Sequence, residues 1–295
     1  MPAIGERVSV SVRKILFATD FSEVSEKAAS FARALAHRYS AMVELAHVFD
    51  PSTVETYEEA ILGLPAADKR QASREELEYV EHKFASAGLV TKATQLEGHR
   101  PSAELLKLAQ DEDVDLIVAG TTAKSGLARL VLGSTAEQLI RSAKCPVLTV
   151  GPHVELPTHE TLDLRTIVFA TDLTPESAKA ATFALSFAED SGSHLFVCHV
   201  LGDVAVTHQQ LRYLYGSFES ILRKMVPESS FDWCSPECVV EQGDVAEEVL
   251  RLAAKVKADL IVVGARKHTT WLNTLEAGVI PTIWASATCP VLSVC

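Results

Sequence analysis

The segment best suited to chemistry runs from Gly120 to Ser134. It reads Gly120-Thr121-Thr122-Ala123, nine residues from Lys124 to Leu132, then Gly133-Ser134. The apolar run Leu116–Ala119 before it has the character of a strand, and Ser134–Ser142 after it has helical spacing. A helix start presents N–H groups without intrahelical partners at the positive end of the peptide dipoles, which suits a phosphate. Ser134-Thr135-Ala136-Glu137 has the form of a capping box, with Ser134 as the cap and Glu137 reaching back. Gly133 lets an anion approach the backbone closely. Lys124 and Arg129 could add positive charge from the loop. The alternative is a plain strand–loop–helix connection with a good cap, which is common.

Asp20 is the second candidate. It follows the apolar run Ile15–Thr19, and a carboxylate just beyond a strand end suits the hydroxyls of a ribose. It could equally be a cap partner for the helix expected from Ser22 to Tyr39. His47 recurs as His199 at an equivalent strand end, which favours a structural role, since imidazole readily satisfies nearby backbone groups. Cys234 and Cys238 lie close together beside Trp233 and could ligate a metal. No second ligand pair accompanies them, so no metal site is expected. The P-loop, the G-x-G-x-x-G dinucleotide fingerprint and the G-x-S-x-G elbow are all absent. No nucleophile, base and orienting acid recur together, so no catalytic residues are assigned.

These residues sit on a repeated scaffold. Lys-Ile-Leu-Phe-Ala-Thr-Asp at 14–20 returns as Thr-Ile-Val-Phe-Ala-Thr-Asp at 166–172. Ala46-His47-Val48 returns as Cys198-His199-Val200, Gly98 as Gly243, Asp115–Gly120 as Asp259–Gly264, and Cys145–Leu148 as Cys289–Leu292. Five blocks in one order mark a duplicated domain, far longer than the roughly 20–50-residue period of a solenoid. The expected division is a first domain over 1–151, a linker over 152–164 and a second domain over 165–295. In the first copy, strands are expected at 15–19, 42–49, 91–96, 116–119 and 147–150, and helices at 22–39, 66–87, 101–110 and 134–142. That alternation predicts an α/β fold: two tandem open five-stranded parallel sheets flanked by helices. Ligands of such sheets bind beyond the carboxyl ends of the strands.

The whole chain resembles a tandem universal stress protein. The Ala-Thr-Asp-Phe-Ser opening, the Ala-His-Val second strand and the Cys-Pro-Val ending carry the likeness. It implies an adenine nucleotide alpha hydrolase-like, Rossmann-like fold. Nucleotide-binding members of that family carry G-x2-G-x9-G-(S/T) for ATP. Here Gly120, Gly133 and Ser134 match, while Ala123 stands at the second glycine. The resemblance implies that Asp20 meets the adenosine part, that Val48 and Ala119 line the base pocket, and that Gly120, Ala123, Gly133, Ser134 and Thr135 belong to the loop holding ribose and phosphates. If position 123 needs a left-handed backbone, alanine costs about 1–2 kcal/mol, roughly tenfold in affinity. If it needs only close approach, the methyl group blocks the phosphate, unless Gly126 lets the loop adjust. In the second copy the motif positions are Gly264, Lys267, Ala277 and Gly278, with Glu276 and Pro281 beside them. That copy is expected to be degenerate and to serve as a structural partner.

The net charge of −12 opposes nucleic acid and anionic lipid. No run of about 18 apolar residues suggests a membrane span, and no secretory signal is expected from the residues Met1 to Val12. Six scattered cysteines fit reduced thiols in a cytoplasmic protein. The leading expectation is stress sensing or regulation through an adenine nucleotide, ATP, in the first domain. A nucleotide-independent interaction scaffold is the alternative, and a slow ATPase a weaker one. The last strands of the two copies, 147–150 and 291–294, would be open edges. They could pair within the chain as a pseudo-dimer or between chains as a homodimer.

Overall fold

The computed structural model describes residues 9–54, 66–121, 133–156, 162–202, 207–264 and 279–294. In the first copy β1 (Lys14–Ala18), β2 (Met42–Phe49), β3 (Thr91–Glu97), β4 (Leu116–Gly120) and β5 (Val147–Val150) alternate with α1 (Glu23–Tyr39), α2 (Ala66–Ser86), α3 (Pro101–Asp111) and α4 (Ser134–Ser142). In the second, β6 (Thr166–Ala170), β7 (His194–Leu201), β8 (Ser235–Gln242), β9 (Leu260–Gly264) and β10 (Val291–Val294) alternate with α5 (Pro175–Ser191), α6 (His208–Met225), α7 (Val245–Val256) and α8 (Val279–Ser286). In the first copy these spans follow the apolar runs and helical patterns of the sequence to within a residue or two.

Local chemistry sets the helix ends. Ser22 caps α1 by accepting from Ser25 N–H at 3.3 Å. Thr174 caps α5 in the same way, with Pro175 at the first helical position, where its missing N–H costs no bond. Thr207 and Gln210 form a reciprocal capping box on α6. The small residues Ala28, Ala32 and Ala36 with Phe31 and Leu35 form the buried stripe of α1 and let the helix lie close to the sheet.

The ten strands form one sheet in the order β3-β2-β1-β4-β5-β10-β9-β6-β7-β8. Within each copy the pairing is parallel. The central strands β1, β4, β5, β6, β9 and β10 are apolar nearly throughout, because helices cover both faces. One apolar layer holds α1, α2, α5 and α6 against the sheet, and the other holds α3, α4, α7 and α8. Both layers run through the two copies.

The sheet is continuous because the two last strands pair with each other. β5 and β10 run antiparallel, with Leu148 opposite Leu292. Those leucines are repeat equivalents, so the seam is a pseudo-two-fold contact of the kind seen in symmetric dimers. Thr149 Oγ1 donates to Val291 O at 3.2 Å across it. Polar contacts reinforce the join: Arg38 donates to Leu162 O and to Ser191 Oγ, and Lys27 Nζ to Pro152 O. The described ends of the 152–164 segment are packed rather than free, with Val154, Leu162 and Leu164 buried in the shared core.

Candidate functional site

In the first copy the strand order reverses between β1 and β4, where a crevice is expected at the carboxyl ends. The sheet register brings Ala18, Ala46 and Ala119 side by side at that edge. Beyond β1, Thr19 is fixed from several directions. Its N–H donates to Ala46 O at 3.0 Å, its carbonyl accepts from His47 Nδ1 at 2.9 Å, and its hydroxyl oxygen accepts from Phe21 N–H at 3.0 Å. His47 thereby ties the ends of β1 and β2 together, the structural role expected of it, and its ring centroid lies 4.3 Å from that of Phe21. Burial lowers the His47 pKa below the ordinary value, against the opposing pull of the Thr19 carbonyl and the Asp20 charge.

Phe21 adopts a left-handed backbone, φ 62°, which turns the chain into α1. A bulky residue in that region is strained, and the arrangement around Asp20 holds it there. Asp20 Oδ1 accepts from Ser22 N–H at 3.0 Å, from Ser22 Oγ at 2.6 Å and from Ser25 Oγ at 2.5 Å. Partial burial raises the Asp20 pKa, but the hydrogen bonds from Ser22 and Ser25 outweigh it and the net shift is downward. Asp20 is thus a partner of the helix cap, while the residue remains exposed at the strand edge.

Gly120 ends β4 against α1. A Cβ there would stand 3.0 Å from Ser25 N and 3.0 Å from Val24 C. This glycine is therefore required by backbone packing, independently of any ligand. Ala119 is buried beside it and Val48 half-buried on β2. Thr121, also buried, roots the following loop by donating from N–H to Val150 O at 2.8 Å. Ala123, with Lys124, Gly126 and Arg129, lies outside the described residues.

The start of α4 corrects one expectation. Gly133, not Ser134, is the cap residue, and among the described residues no side chain caps this helix. Ser134 is then the first helical residue and Glu137 the fourth, one position out of register for a capping box. Glu137 pairs instead with Arg141 at 2.5 Å. Among the described residues, the first-turn N–H groups at Ser134 and Thr135 have no side-chain cap, at the end of α4 that topology places on the carboxyl edge. Ser102 bonds Gln138 and so braces α3 against α4.

The second copy repeats the β1 edge closely. Asp172 Oδ1 accepts from Thr174 N–H, Thr174 Oγ1 and Ser177 Oγ, and Leu173 is left-handed at φ 62°. His199 Nδ1 donates to Thr171 O at 2.8 Å. Gly264 packs on Ser177, and a Cβ on that glycine would stand 3.0 Å from Ser177 Cα. Lys267, Glu276, Ala277 and Gly278 lie outside the described residues. Pro281 occupies the third position of α8.

Ser22 and Ser25 are site residues that the reading by sequence does not single out. Their signal is legible as Asp20-x-Ser22-x-x-Ser25 and its echo Asp172-x-Thr174-x-x-Ser177. Cys234 Sγ donates to Ser230 O at 3.3 Å, and burial pushes its pKa up to about 11. Among the described residues no three His, Cys, Asp or Glu converge, and the five described cysteines are unbridged. Nor, among those residues, is any helix long and apolar enough to cross a membrane. An open groove of about 420 Å³ along α7 and α8 lies at the amino end of β9, away from this edge. Its one guanidinium, Arg251, is already paired with Glu241 and Glu248.

The universal stress protein family matches residues 11–151 and again 163–294. The chain belongs to the universal stress protein family. Two universal stress proteins of Methanocaldococcus jannaschii are similar to it. One is 36% identical over 146 residues, covering 47% of this chain and 81% of its own length. The other is 29% identical over 158 residues, covering 48% and 97%. Each relative thus corresponds to about half of this tandem universal stress protein. A solved universal stress protein from Archaeoglobus fulgidus covers 95% of both chains with a TM-score of 0.71 at 18% identity, a likeness of fold alone.

Proposed function

We propose that this tandem universal stress protein is a cytoplasmic, non-enzymatic sensor or regulator that binds an adenine nucleotide, ATP, in its first domain. The observation that carries the reading is the start of α4. Gly133 precedes Ser134 and Thr135, and among the described residues no side chain caps the first-turn N–H groups, on the same strand edge as Asp20. In this reading those N–H groups and the Ser134 and Thr135 hydroxyls hold phosphates. Asp20 receives the ribose, and Val48 and Ala119 line the base. Gly120 serves by letting α1 and β4 close up behind the ligand. The second domain does not bind ATP in this manner and acts as a structural partner through the β5–β10 seam.

Equilibrium binding of ATP to the purified protein tests the reading. Saturable binding is expected, and no binding at millimolar ATP would sink it. Gly133→Trp is expected to abolish binding by filling the approach to α4.

A nucleotide-independent scaffold is the second reading. It is favoured by the Asp172 arrangement, which persists in the copy whose motif positions depart from the family pattern and so has value for the turn itself. Mass spectrometry of small molecules released from the native protein separates the two readings. ATP hydrolysis is a weaker option, tested by phosphate release from wild type and Asp20→Ala.

A further inference from the structure

Asp20 has two oxygens, and the structure treats them differently. Oδ1 takes three donors, Ser22 N–H at 3.0 Å, Ser22 Oγ at 2.6 Å and Ser25 Oγ at 2.5 Å. A carboxylate oxygen offers about two lone-pair directions, so Oδ1 is fully committed. Oδ2 receives no hydrogen bond among the described residues, and Asp20 is exposed at the strand edge. One carboxylate oxygen is thus held in place, while the other takes no hydrogen bond from the described residues.

Ser25 is the hub of this arrangement. It is only 4% exposed, although it carries a hydroxyl. The Ser25 oxygen donates its proton to Asp20 Oδ1 and accepts from Asp20 N–H at 3.3 Å, with Ser22 Oγ 3.4 Å away. It thus grips Asp20 at both its main chain and its side chain. The Ser25 backbone packs closely on Gly120, its N lying 3.0 Å from the place a Cβ on that glycine would take. Side chain, helix start and strand end are locked as one body. Charge-assisted O–H···O bonds of this length are stronger than neutral ones, so they restrict the rotation of the carboxylate about χ2.

We infer that Ser25 is a positioning residue for ligand recognition: it commits Asp20 Oδ1 to the protein and leaves Oδ2 as the single aimed acceptor for a vicinal diol, the ribose of the bound nucleotide. Ser22 shares the task from the cap position. This rests on the adenine-nucleotide reading above and adds a specificity to it. The first copy should select ribose over sugars lacking hydroxyls, and Ser25 should control that selection without touching the ligand. A buried group that only stabilised the turn would affect every nucleotide alike. A positioning group affects only ligands that offer a hydroxyl to Oδ2.

The test is competitive binding of ATP and 2′,3′-dideoxy-ATP to the full chain. Wild type is expected to favour ATP by about tenfold or more, the worth of a hydrogen bond to a charged acceptor. Ser25→Ala should bring that ratio close to one by weakening ATP while leaving dideoxy-ATP unchanged, and Asp20→Ala should match it. Ser177→Ala makes the same change in the second copy and should leave the ratio at its wild-type value. If Ser25→Ala does not fold, Ser22→Ala removes two of the three side-chain contacts around Asp20 and Ser25 and is read by the same ratio. The inference is overturned if wild type binds ATP with preference and Ser25→Ala keeps that preference, or if the variant loses both nucleotides equally. Should wild type bind neither nucleotide, the binding reading itself fails and takes this inference with it.

Discussion

At the scale of single residues, the two copies show which features belong to the scaffold. Gly120 and Gly264 both stand where a Cβ would meet the first turn of the first helix in their own copy, at Val24–Ser25 and at Ser177. Gly120→Val is therefore expected to destabilise the fold by about 1–3 kcal/mol through overpacking, and urea unfolding measures it. Any loss of nucleotide binding in that variant would follow from the displaced helix. Acid sensitivity is also set here. Folding lowers the His47 pKa through burial, so the neutral ring's contribution is complete above the ordinary histidine range and is lost as pH falls through the depressed folded value. Asp20 follows the same direction in the carboxylate range: its contribution is present above the unfolded value and disappears as pH falls through the lowered folded one. Stability measured downward from neutral pH should decline in two successive ranges, and an NMR titration should place His47 below a model histidine. A His47 titration at or above the ordinary value would contradict this.

At the scale of elements, helix starts carry the contrast. Ser22 and Thr174 are true caps that accept from the N–H three residues on. Replacing either with alanine is expected to cost about 1 kcal/mol. Ser134 lies inside α4 and caps nothing. Ser134→Ala should leave the stability within about 0.5 kcal/mol of wild type in urea unfolding, while weakening ATP binding. A stability loss equal to that of Ser22→Ala would restore Ser134 as a cap. The sequence could not make this distinction. Gly133 and Ser134 are both acceptable cap residues, and Glu137 matches a box only if Ser134 is the cap. What decided between them was the backbone at Gly133, φ −56° and ψ 131°, together with Arg141 one turn on, which pairs with Glu137. The other helix starts were legible because Ser22 and Thr174-Pro175 have no adjacent residue that caps equally well.

At the scale of the whole molecule, the seam between β5 and β10 makes the two copies one body. Leu148 and Leu292 face each other there, buried at 3% and 0% exposure, inside a core layer shared by both copies. Leu292→Asp would place an unpaired charge in that layer. A loss of about 3 kcal/mol or more is expected, felt by both copies and read as a single earlier transition in urea. A change confined to the second copy, with the first unfolding as in wild type, would show that the copies are energetically separate. The pairing also covers the two edges that each copy alone would leave open, and among the described strands β3 and β8 form the edges of the sheet.

The amino-acid sequence by itself determined the duplication, the order of the strands and helices, their spans in the first copy, and the strand-end positions of Asp20, His47 and Gly120. These follow from local patterns: apolar runs of strand length, helical spacing, cap residues and blocks that recur in order. Tertiary structure decided the rest. Whether β5 and β10 meet each other or a second chain depends on where the linker lets them lie. That Gly120 answers to the backbone of α1, and that Asp20 commits one oxygen and keeps another, depends on which atoms the fold brings within hydrogen-bond or contact distance. No spacing along the chain encodes those distances, because they arise only when β4 closes against the first turn of α1.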